Sequence, residues 1–120
     1  ILTENQVTDQ PILISALALL NEQHPELTDR VIESLSRSSG VPPIPLELFE
    51  VPSAATAAIS PVFVHVRGVL PFARLGDELM VAVLNPLSQP LQVEVSARTG
   101  KVCHFFLAHP NVWGEIAKRI

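Results

Sequence analysis

Two apolar runs, at residues 69–73 and 79–84, flank the stretch Arg74-Leu75-Gly76-Asp77-Glu78. Short apolar runs on either side of a glycine-bearing turn predict a β-hairpin, with Gly76 free to take the positive φ that side chains resist. Asn85-Pro86 breaks the second run. Ser88 can cap a helix from about Gln89 to Arg98, with Pro90 tolerated in its first turn and Gly100 ending it. A third apolar run follows at 102–107. A helix between the second and third runs predicts that all three lie side by side in one sheet, with helices packed on it. His109-Pro110 opens a last helix, in which Val112, Trp113, Ile116, Ala117 and Ile120 share one face and Lys118 and Arg119 suit the negative end.

Upstream, residues 9–23 read as a helix capped by Thr8 or Asp9, with Pro11 in its first turn and Pro25 as its stop. Ile12, Leu13, Ile14, Leu17, Leu19 and Leu20 leave it little polar face, so burial is expected. A second helix is expected at 29–39, with Thr28 as N-cap, Leu27 and Ile32 at staple positions, a stripe of Val31, Ile32 and Leu35, and Gly40 at its end. The short link makes the two a helical hairpin over residues 1–40. Eleven prolines are about double ordinary usage, and Val41-Pro42-Pro43-Ile44-Pro45 must run extended. That segment predicts an edge strand near 46–50, with Ile44, Leu46 and Leu48 turned to the core. Ser53 is placed as the cap of an alanine-rich helical turn through Ile59. Residues 61–66 are ambiguous: Val62, Phe63, Val64 and Val66 favour strand, whereas Ser60 followed by Pro61 favours a short helix. The expected class is α+β, an N-terminal helical hairpin over 1–40 followed by a three- to four-stranded sheet with packed helices over 41–120, forming one compact unit.

Composition narrows the function. With 48% hydrophobic and 17% charged residues the chain is a folded domain, and 120 residues suffice for one core. The eight Lys and Arg are scattered over a chain of net charge −4, which offers no basic stripe for nucleic acid or an anionic membrane. The longest apolar run is too short to span a bilayer, and a signal peptide lacks its basic segment. Cys103 is the single cysteine, so no internal disulfide forms, and a reducing, intracellular setting is expected. Met80 is the only methionine, and a piece of a longer polypeptide is expected.

No residue pattern encodes catalysis. Cys103 and His104 are strand neighbours and point to opposite faces, so they form no nucleophile–base pair. His24, His65, His104 and His109 show no ligand spacing, and no metal site is expected. His24 and His109 precede prolines at helix boundaries, where turn or capping roles account for them, and His65 reads as a core or rim histidine. Gly40, Gly68, Gly76, Gly100 and Gly114 are isolated, and Lys101 after Gly100 lacks the Ser or Thr of a phosphate-binding loop. Glu47, Glu50, Asp77 and Glu78 fall at edges and turns. No catalytic, cofactor or metal residue is assigned, and the partner-binding residues are left open.

From residue 40 onward the chain resembles the N-terminal domain of the type II secretion and type IV pilus assembly ATPases. The resemblance is carried by Gly40-Val41-Pro42, Val69-Leu70-Pro71, Leu79-Met80-Val81-Ala82-Val83, Asn85-Pro86-Leu87, Thr99-Gly100, Val102 and the closing helix with Ile116 and Ile120, in that order. Residues 27–40 resemble the family's preceding helix. The resemblance implies a bacterial adaptor domain ahead of a hexameric motor, cytoplasmic and peripheral to the inner membrane. It implies docking on the cytoplasmic domain of an inner-membrane platform protein, and contact with its own C-terminal ATPase domain. Some relatives bind cyclic di-GMP through a repeated Arg-Leu-Gly motif on a helical hairpin. Here Arg74-Leu75-Gly76 falls in an expected β-turn and Val83 stands where a glycine belongs, so the match reads as coincidence. Two alternatives stay open: a cyclic di-GMP regulatory domain, and the same module attached to another enzyme or signalling protein.

Overall fold

The computed structural model describes residues 23–119. The helix expected at 9–23 lies outside this range except for Gln23, and so does Ile120. The first element, α1 (Pro25–Ser39), begins four residues before the expected start. Pro25 stands in its first turn with φ already preset, so the helix starts there with His24 as N-cap. Thr28 is therefore a fully buried first-turn residue and not the cap. The staple expected between Leu27 and Ile32 loses its geometry with that shift. Ile32 and Leu35 of the predicted stripe pack against the core.

The proline segment runs extended as expected, but it contributes only one parallel bridge, Pro43 to Leu107. Leu107 N–H donates to the Pro42 carbonyl at 2.8 Å, and Ile44 N–H to the Leu107 carbonyl at 3.0 Å. Pro42, Pro43 and Pro45 have no N–H, so Ile44 supplies the donor and the pairing cannot lengthen. The edge strand expected near 46–50 is instead a single 3-10 turn, Leu46–Leu48. In a strand Leu46 and Leu48 would share a face, but at three residues per turn they point apart. Leu46 is fully buried and Leu48 is 78% exposed.

Two short helices follow, α2 (Ser53–Thr56) and α3 (Pro61–Arg67). Ser53 is the first helical residue and not a cap: the Pro52 carbonyl receives the N–H groups of Ala55 and Thr56. Helix α2 stops at Thr56, short of Ile59, and Ser60 is already extended as the cap of the next helix. The ambiguity over 61–66 resolves to helix, because Ser60 Oγ accepts the Phe63 N–H at 3.2 Å and Pro61 opens the turn.

The sheet has three strands in the order β1 (Val69–Leu75), β2 (Glu78–Val83), β3 (Val102–Leu107). The hairpin β1–β2 is antiparallel and reaches further than expected, with Arg74 opposite Leu79 and Leu75 opposite Glu78. Its turn is thereby reduced to Gly76-Asp77, with Gly76 at φ +62°. Between Pro71 and Ala73 the register shifts, leaving Phe72 as a bulge residue. Counting from the Leu84 N–H bond to the Gly68 carbonyl, Pro71 falls where the backbone of this edge strand points away from β2, so its missing N–H costs the ladder nothing. Phe72 is 1% exposed and meets the rings of Phe49 and Phe106 edge-on at 5.1 and 5.7 Å. Strands β2 and β3 are parallel, joined through α4 (Gln89–Thr99). Ser88 caps α4 by accepting the Leu91 N–H at 3.3 Å. The last helix, α5 (Pro110–Ala117), is tied to β1 where the Trp113 indole N–H donates to the Val69 carbonyl at 3.3 Å. Leu79, Val81, Val83, Leu91, Val95 and Leu107 form the centre of one core.

Candidate interaction surface

The sheet separates the residues that chemistry would need together. Cys103 faces the core side, with Sγ 3.5 Å from Thr99 Oγ1 and 3.6 Å from the Lys101 carbonyl. His104 faces the other side and is exposed, with Nε2 3.0 Å from Glu78 Oε1. His109 is the N-cap of α5: its Nδ1 accepts the Asn111 N–H at 3.1 Å. That tautomer leaves its Nε2–H facing Asp29 Oδ1 at 3.4 Å. His24 makes no side-chain cap and lies 3.5 Å from Glu26. His65 is exposed, edge-on to Trp113 at 6.3 Å. Among the described residues no group of three His, Cys, Asp or Glu is placed to hold a metal ion. Glu47, Glu50 and Asp77 are exposed.

Arg74-Leu75-Gly76 sits in strand end and turn, where Arg74 Nε–H donates to the Gly76 carbonyl at 3.3 Å. The register explains what surrounds it. Leu75, Glu78 and Val102 form one cross-strand row, and Ala73, Met80 and His104 form the next on the same face. The half of that face near Phe72 is covered by Phe49 and Phe106. The hairpin half stays open, with Leu75 73%, Val102 59% and Met80 37% exposed. Ala73, Arg74, Leu75, Glu78, Met80 and His104 line a dip of about 100 Å³ there. Three exposed apolar side chains thus surround one Glu–His pair on this half-face. The sequence marks all three as apolar but also as strand residues, and alternation does not say which end of a face its helices leave uncovered. None of the described helices is long and apolar enough to cross a membrane.

Known proteins match this chain in family and fold. The MshEN domain model matches residues 39–120. Among solved structures, MshE with cdg aligns at a TM-score of 0.68 and 17% identity, over 99% of this chain and 90% of that one. The N-terminal domain of XpsE aligns at 0.69 and 16% identity, over 98% and 86%. At these identities the two structures speak for the fold alone. No curated protein matches the chain significantly.

Proposed function

The chain belongs to the MshEN domain family, and from that membership we propose that it is a non-catalytic adaptor domain of a secretion or pilus-assembly ATPase. Its role is to dock the motor, from the cytoplasmic side, onto the cytoplasmic domain of an inner-membrane platform protein. The observation that carries the reading is the family match over residues 39–120, which coincides with the motif order that suggests such ATPases. The open apolar half-face at Leu75, Met80 and Val102 supports it, because exposed apolar area gains most from a partner. Titration of the folded chain with the cytoplasmic domain of the cognate platform protein tests it. Saturable binding is expected, and a flat titration with folded sample refutes the docking role.

A second reading, cyclic di-GMP binding, is favoured by one observation, the likeness to MshE with cdg. Calorimetry with cyclic di-GMP separates the two, since an adaptor without nucleotide binding gives no heat.

A further inference from the structure

Helices α3 and α4 enclose a shallow groove of about 350 Å³, away from the open sheet face. Its apolar part is Val62, Phe63 and Val66; Val62 is 72% and Val66 55% exposed. They are exposed because α3 turns Phe63 and Val64 inward, and the i, i+4 partners Val62 and Val66 therefore line its outer face. Its polar part is Arg67, Glu94 and Arg98.

These three charges do not satisfy one another. Glu94 Oε1 lies 3.6 Å from Arg67 Nε, close enough for attraction but too long for a hydrogen bond. Arg67 Nε is sealed from water and has no acceptor. The Arg98 guanidinium stacks over the Phe63 ring at 4.6 Å, and no carboxylate pairs with it among the described residues. Two guanidinium groups thus face one carboxylate, a local excess of positive charge on a chain whose net charge is −4. Stacking holds the Arg98 fork in place, which lowers the entropy lost when it takes a carboxylate.

We propose that the α3/α4 groove receives an amphipathic acidic segment of a partner protein, with a Glu or Asp side chain at Arg98 and Arg67 and apolar residues on Val62 and Val66. This inference deepens the docking reading and rests on it for the identity of the partner. Valines at one-turn spacing suit an apolar stripe, and the unbalanced guanidinium charge selects a carboxylate beside that stripe.

Two measurements test it. In the first, the platform protein's cytoplasmic domain is titrated against the wild-type chain, Val62→Asp and Arg98→Gln. Asp at position 62 suits the start of α3, and both side chains are exposed, so far-UV circular dichroism should stay unchanged. Each variant should weaken binding about tenfold or more, and Leu48→Gln, at an exposed leucine outside both the groove and the open sheet face, should not. In the second, a synthetic helical peptide with a leucine stripe flanked by glutamates is titrated while backbone amide resonances are followed. Shifts should concentrate at Val62, Val66 and Arg98 and vanish for the peptide with lysines in place of glutamates. Peptide binding at the groove without platform binding upholds the groove and removes the platform as its partner. Platform binding unaffected by either variant overturns the groove. Shifts with inorganic phosphate but not with the peptide overturn it as well.

Discussion

Phe72 shows how much one side chain can decide in a domain this small. The bulge after Pro71 turns its ring between Phe49 and Phe106, joining the segment after the 3-10 turn to strands β1 and β3. Each edge-to-face pair adds roughly 0.5–1.5 kcal/mol beyond area burial. Truncation also leaves a cavity that the twisted sheet cannot collapse. Phe72→Ala should therefore lose about 3–5 kcal/mol, read as a lowered urea midpoint. A loss under about 1 kcal/mol would mean that the three rings do not pack as described. Arg98 is the opposite kind of residue, exposed and stacked on Phe63, so its removal should act on recognition far more than on stability.

Among the elements, the proline segment and β3 set the limit of the sheet. On β3 the backbone groups of Leu107 point away from β2, toward Pro42 and Ile44. By the alternation of a strand, those of Cys103 and Phe105 point the same way. The prolines end the pairing after one bridge, and no backbone partner meets Cys103 or Phe105 among the described residues. Native-state amide exchange should thus show slow exchange at Ile44 and Leu107 and markedly faster exchange at Cys103 and Phe105. Equal protection along β3 would mean that this edge is paired. Replacing the donor that the proline segment supplies, Ile44→Pro, removes one of the bridge's two hydrogen bonds and should lower protection at Leu107 first.

At the scale of the molecule, one core links the ends of the described chain. Ile32 and Leu35 of α1 pack on it, and Trp113 of α5 bonds to the first residue of β1. Trp113 is the only tryptophan, so its fluorescence reports the α5–sheet contact while far-UV circular dichroism reports all helices. The two should give one coincident urea transition. Separate midpoints would divide the helical N-terminal part from the α/β remainder. The residues themselves determined where α4 begins and ends and where α5 begins, because their signals are local: Ser88, Gly100 and His109-Pro110 start or stop helices through backbone groups a few positions away. They also determined that three apolar runs form one sheet, and that Cys103 and His104 never meet. Tertiary contacts alone decided the rest. Leu46–Leu48 became a turn once prolines denied it partners on the sheet edge. Packing also chose which half of the sheet stayed open at Leu75, Met80 and Val102. It brought Arg98 of one helix over Phe63 of another, a pairing that the sequence does not locate. Periodicity records which side of an element is apolar, whereas the neighbour that covers it, or leaves it bare, depends on contacts between residues far apart in the chain.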